Sequence, residues 1–219
     1  MAFEGYFVPA EGEAQGLVVI VHDWDGLDAY EATRARMIAE MGYDAFALDL
    51  FGAGVRPDTL DGRRAATGAL YADRAEMRAR LTAGLEEAQA LSGAGAATVV
   101  MGYCFGGAAT LELARSGLGE GIVGFVSFHG GVDTPEGQSW PADAAPVLIL
   151  HGGADQNPSM ADVAQLSVEL EAAGVDYEIA VYAGAPHAFT VFGSDRYRER
   201  ADRLSWAAFS RFLEEATAD

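Results

Sequence analysis

The chain has no lysine, one cysteine and no apolar run approaching the length of a membrane span. Each absence excludes something. A single cysteine cannot close an internal disulfide, so the fold rests on its core, and the lone thiol needs either a reactive or a packing explanation. The longest apolar stretch, Leu17 to Val21, is strand-sized, well short of the ~18 residues that suggest a spanning helix. All 14 basic residues are arginines, set against 33 acidic ones for a formal net charge of −19. Such a surface repels phosphate backbones and anionic lipid, so neither nucleic acid nor membrane is an expected partner. The acidity reads either as adaptation to salt or as compositional drift. Met1-Ala2-Phe3-Glu4 lacks the basic segment and apolar run of a secretory signal, which makes cytoplasmic the expected location.

What is present is a regular alternation. Apolar runs at Leu17 to His22, Ala45 to Leu48, Thr98 to Met101, Ile122 to Phe128, Val147 to Leu150 and Glu178 to Tyr182 read as strands. They are continuous rather than alternating, as expected of parallel strands covered on both faces. Between them, Ala29 to Met41, Ala72 to Leu91, Ala108 to Arg115 and Ser159 to Ala173 carry amphipathic helical spacing, and a last helix spans about Arg196 to Glu214. This order predicts an α/β, doubly wound, mostly parallel sheet in one domain over residues 1–219, a length one core can serve. The stretch Phe51 to Gly68 is the longest irregular region and reads as a loop, either over the site or plainly on the surface. Ligands of such sheets bind beyond the carboxyl ends of the strands, so residues just after each run are the candidates.

After Thr98 to Met101 comes Gly102-Tyr103-Cys104-Phe105-Gly106-Gly107, leading into a helix. This is a G-x-nucleophile-x-G elbow, in which a sharp strand-to-helix turn strains its central residue and leaves no room for side chains two positions away. Cys104 would stand at a helix N-terminus, where the dipole favours thiolate and the Phe105 amide can bind an oxyanion. On this elbow the order along the chain is nucleophile, acid, histidine. Asp155 ends the glycine turn His151-Gly152-Gly153-Ala154-Asp155, and His187 lies in Gly184-Ala185-Pro186-His187-Ala188-Phe189 after the last strand. Asp155 then orients and His187 is the base. His22, His129 and His151 also follow strands, but none shows metal-ligand spacing, so no metal is expected. Asp133 lies one strand too early to be the acid, and Asp49 reads as a turn former. The first-strand turn, His22 to Leu27, faces the elbow. There the Trp24 amide is the second oxyanion donor, and Asp23 either handles the thiol proton or ties down the loop.

These segments together resemble the dienelactone hydrolase family over nearly the whole chain, through the Cys104 elbow, the Asp155 turn and the Gly-Ala-x-His-x-Phe around His187. The resemblance implies a compact α/β-hydrolase fold without a cap domain, action on lactones or small esters, and no cofactor. It further implies an acidic residue, usually Glu, that hydrogen-bonds the resting thiol; Asp23 holds that position with a side chain one methylene shorter. Members that cleave dienelactone bind its carboxylate with arginine, one of them four residues after the histidine, where this chain has Val191. Arg56, Arg63, Arg64 or Arg74 could compensate, though no spacing aims them at the site.

The expected function is hydrolysis of a small, neutral carboxylic ester or lactone by a Cys104-His187-Asp155 triad in a monomer or weak dimer. The rivals are a true carboxymethylenebutenolide hydrolase acting on an anionic lactone, a non-catalytic scaffold of the same fold, and a redox-sensing thiol protein.

Overall fold

A computed structural model describes residues 2–92 and 97–218. Seven strands form one sheet in the order β1-β3-β2-β4-β5-β6-β7. Six of them, β2 (Leu17–Val21), β3 (Asp44–Leu48), β4 (Thr98–Tyr103), β5 (Ile122–Phe128), β6 (Val147–Gly152) and β7 (Tyr177–Tyr182), run parallel. These are the six apolar runs. The seventh, β1 (Gly5–Val8), pairs antiparallel with β3 at the edge and was not expected. Four half-exposed residues bury too little to leave a hydrophobic signature.

Side chains of successive residues enter opposite faces of the sheet. Leu17, Val19 and Val21 pack under one layer, with Leu81 and Leu85 of α3 (Arg74–Leu91), Ala109 and Leu113 of α4 (Phe105–Ser116), and Leu166 and Leu170 of α5 (Met160–Ala173). Val18 and Ile20 pack under the other, with Ala35 and Ile38 of α1 (Ala29–Ala39) and Phe209 and Leu213 of α6 (Glu199–Thr217). The central strands β2 and β4 are therefore buried at every position. Each buried Val, Leu or Phe removed from water contributes roughly 1.5–3 kcal/mol. No separate cap stands over the sheet among the described residues.

The stretch expected as a loop from Phe51 to Gly68 is only partly one. Helix α2 (Leu60–Ala72) starts within it, capped by Thr59, whose hydroxyl accepts from the Gly62 amide at 3.1 Å. Only Leu70 of this helix is buried, and glycines at 62 and 68 weaken its pattern, so periodicity had little to register. Helix α4 begins at Phe105, three residues before the expected Ala108, so Gly106 and Gly107 are helical. No described helix is long and apolar enough to cross a membrane.

Candidate active site

The elbow is built by close approach. A Cβ on Gly102 would lie 2.2 Å from the Gly106 carbonyl oxygen, and one on Gly106 would lie 2.2 Å from the Val21 oxygen and 2.5 Å from that of His22. Only hydrogen fits at either position, so β4 can turn into α4 against the end of β2. Cys104, at the turn, has φ 52° and ψ −113°, and its amide donates to the Phe128 oxygen of β5 at 3.0 Å. Positive φ at a non-glycine residue costs on the order of 1–3 kcal/mol, and here the contacts on both sides enforce it.

The structure brings the three residues of the expected triad together. His187 Nε2 is 3.1 Å from Cys104 Sγ, and His187 Nδ1 is 2.8 Å from Asp155 Oδ2. An ionised carboxylate only accepts, so Nδ1 carries the proton and Nε2 faces sulfur. The other oxygen of Asp155 accepts from the Asn157 amide at 2.9 Å. Two backbone bonds, Gly153 to Tyr182 at 2.8 Å and Ala154 to Ala185 at 2.9 Å, lash the acid loop to the histidine loop. Burial draws the His187 pKa down, but its bonds to Asp155 and Cys104 outweigh this and raise it to about 10. Burial draws Asp155 up, and His187 and the Asn157 amide hold it below the ordinary carboxylate range.

Asp23 and Trp24 line the same cavity as Cys104, about 730 Å³ in volume. Asp23 is nearly buried, and burial, followed by contact with Asp25 and the charges of Asp25, Glu31 and Cys104, pushes its carboxyl up to about 10. Glu31, the capping-box partner of Asp28 on α1, accepts from the Asp23 amide at 3.4 Å, and burial raises it to about 8. Phe105 opens α4, where a backbone N–H has no acceptor within the helix.

The remaining histidines have structural partners or stand apart. His22 bridges the Asp23 oxygen at 2.6 Å and the Leu50 amide at 3.0 Å, His129 meets Thr190 Oγ1 at 2.8 Å, and His151 is buried. Among the described residues no three His, Cys, Asp or Glu side chains are grouped to hold a metal. Asp133 lines the cavity without joining the chain of contacts from Cys104 to Asp155. Asp49 caps its own turn through the Phe51 and Gly52 amides.

Of the four arginines named from the sequence, Arg74 lines the cavity, and Arg196, which was not named, joins it. Arg74 pairs with buried Glu112 at 2.7 Å, whereas Arg196 is exposed and makes no ion pair among the described residues. Arg74 opens the helix after α2, and Arg196 lies nine residues beyond His187; neither spacing matched a motif. Arg56 instead pairs with Glu4, and Arg63 sits over Trp24 with its guanidinium 5.3 Å from the ring. Thr67 and Tyr71 of α2 also line the cavity, and they went unread along with their helix.

Comparison with known proteins agrees with this architecture. The model of the dienelactone hydrolase family matches residues 3–217. A Methylorubrum extorquens protein, named as a candidate carboxymethylenebutenolidase, is 25% identical over 210 residues, covering 91% of this chain and 72% of its own. The solved structure named m3DLH superposes with a TM-score of 0.87 at 29% identity, covering 99% of this chain and 93% of its own. A dienelactone hydrolase-like promiscuous phosphotriesterase from metagenomic libraries superposes at 0.84 with 25% identity, covering 99% of both chains.

Proposed function

The chain belongs to the dienelactone hydrolase family, and from that premise we propose that it cleaves a small carboxylic ester or lactone with Cys104 as nucleophile. The observation that carries this is the continuous contact from Cys104 Sγ through His187 to Asp155, at 3.1 and 2.8 Å, on the wall of one cavity.

In this reading the thiolate, the reactive form of cysteine, attacks the substrate carbonyl. The amides of Phe105 and Trp24 receive the developing oxyanion, each such donor being worth about 2.7–4 kcal/mol of barrier. His187 holds its proton through neutral pH, so it meets the tetrahedral intermediate as an acid and hands that proton to the leaving alkoxide. The neutral imidazole then takes a proton from water, which attacks the thioester and frees the acid product. Asp155 keeps the imidazole turned with Nε2 toward sulfur and balances its charge. Asp23, neutral near pH 7, lines the same cavity as Cys104 and acts there as a hydroxyl donor rather than as a base.

The substrate class divides on one observation. Arg74 and Arg196 on the cavity wall favour a substrate carrying a carboxylate, in the manner of the carboxymethylenebutenolide hydrolase reading, over the neutral ester expected from Val191 alone. The test is a panel of neutral short-chain esters, neutral lactones, anionic lactones and a phosphotriester, assayed with the wild type and Cys104→Ala. Turnover of at least one carboxylic substrate that vanishes in the variant is the expected result. Equal turnover in both proteins, or cleavage of the phosphotriester alone, refutes the proposal.

A further inference from the structure

Arg34 of α1 is fully buried, an expensive place for a guanidinium, and its only carboxylate partner among the described residues is Asp202 of α6. It lies among four rings, those of Phe192, Trp206, Tyr30 and Tyr103, at 4.3, 5.0, 5.3 and 5.7 Å. Tyr103 immediately precedes Cys104. One Arg34 nitrogen donates to the Thr190 carbonyl at 2.9 Å, three residues beyond His187. Arg34 therefore touches the approach to the nucleophile and the loop of the histidine, while contacting neither residue of the pair.

A second connection leads back to His187 and has a direction. Arg34 Nε donates to the Tyr30 hydroxyl at 3.3 Å, and because a guanidinium never accepts, Tyr30 must use its own proton elsewhere. The acceptor in reach of that proton is Thr190 Oγ1 at 2.7 Å, and with the chain run in this sense the Thr190 proton is left for His129 Nε2 at 2.8 Å. His129 Nδ1, which has no partner among the described residues, then carries the hydrogen. The His129 ring stands edge-on to that of His187, with centroids 5.3 Å apart and planes at 65°. His129 also adopts φ 42°, a strained backbone imposed where β5 ends.

We propose that Arg34 is a positioning residue for His187, acting through the directed chain Tyr30, Thr190 and His129 and through the Thr190 carbonyl. The inference rests on the proposed role of His187 but predicts something separate from it. By pointing every proton of the chain toward His129 Nε2, Arg34 keeps that ring an acceptor and neutral against His187, and it fixes the loop on which His187 stands. Burial holds His129 well below the ordinary histidine range, which agrees with a neutral ring. The Asp155 bond sets the rotation of the imidazole about one nitrogen; the His129 ring, packed at 65° to it, sets its tilt.

Thr190→Val keeps the shape and removes the hydroxyl, Thr190→Ser keeps the hydroxyl, and Tyr30→Phe cuts the chain one link upstream. Each is assayed for kcat and KM, for the alkylation rate of Cys104 by iodoacetamide at neutral pH, and for melting temperature. Thr190→Val is expected to lose roughly tenfold in kcat with KM within about twofold, since small misplacements of a reacting group cost rate rather than binding. Its alkylation should slow in parallel, Thr190→Ser should restore both, and Tyr30→Phe should fall between. Wild-type kcat and alkylation in Thr190→Val, or equal losses in the Val and Ser variants, would overturn the proposal. Should the wild type cleave no ester, the proposed function fails, and the alkylation series still decides this inference.

Discussion

Replacing Asp23 with asparagine is expected to make the protein more stable, by an amount that depends on pH. Asp23 is buried beside Asp25, Glu31 and Cys104, and its carboxyl is pushed from an ordinary 3.8 to about 10. Between those two values the folded state must hold a proton that the unfolded chain releases. A raised carboxyl therefore subtracts stability as pH rises above the lower value, and the loss levels off only above the upper one. At pH 7 the gap is about three pH units, or ~4 kcal/mol at 1.36 kcal/mol per unit. Relaxation of the loop in the wild type will return part of this, so a gain of roughly 2 kcal/mol, some 4–8 °C for a chain of this size, is the working expectation. Asparagine retains the oxygen that accepts from the Asp25 amide at 3.0 Å, and its NH2 replaces the acid hydroxyl. Urea and thermal unfolding of both proteins at pH 4, 7 and 9 make the comparison. The curves should nearly coincide at pH 4 and separate progressively above it. An asparagine variant no more stable than wild type at pH 7, or a difference that does not change with pH, would refute the assignment of a neutral Asp23. Its thiol alkylation rate should change as well, because the same substitution replaces a titrating carboxyl beside Cys104 with a neutral amide.

His187→Ala should lower kcat by roughly 10²- to 10⁴-fold, the usual worth of a positioned proton donor, with the fold unchanged by circular dichroism. A loss below about threefold would move the acid-base role elsewhere. Gly106→Ala should cost at least about 1–3 kcal/mol in urea unfolding, since its Cβ would meet two backbone oxygens of β2 that cannot step aside; a melting temperature equal to wild type would contradict the close approach. Arg196→Ala should raise KM for an anionic lactone while leaving that for a neutral ester unchanged, and equal effects on both would remove Arg196 from substrate recognition.

The features that were readable in advance are those whose cause is local. Cys104 between its glycines, Asp155 after a glycine turn and His187 in a small-residue loop each follow a strand readable in the sequence, and the sheet then carries the strand ends to one edge. The same locality explains the failures. Helix α2 buries one residue, so its pattern was too thin to separate it from a loop, and with it went Tyr71 and Thr67 of the cavity wall. Arg196 follows no strand and matches no spacing; only the path of the loop brings it to the cavity. Arg34 went unread because nothing in its own segment reveals the five aromatic and polar groups that other segments place around it. The Asp28-x-x-Glu31 capping box that starts α1 went unread as well, and with it the glutamate that braces the Asp23 turn.

The overall charge of −19 misdescribes the site. Of the acids nearest Cys104, Asp23 and Glu31 sit at about 10 and about 8, so neither is predominantly ionised at neutral pH. Asp155 spends its charge on His187, and Glu112 spends its own on Arg74, Arg78 and Arg115 together, one carboxylate against three guanidiniums. What faces the cavity is thus far less negative than the surface around it. An anionic substrate would be repelled on approach, within the Debye length of about 8–10 Å at moderate salt, and accepted once inside. The two effects act on different steps: the surface on the rate of encounter, which salt relieves, and the arginines on the bound complex, which is shielded from it. On the proposed reading, fold-wide acidity bears on how fast a charged substrate arrives, while the choice between neutral and anionic substrates falls to Arg74 and Arg196.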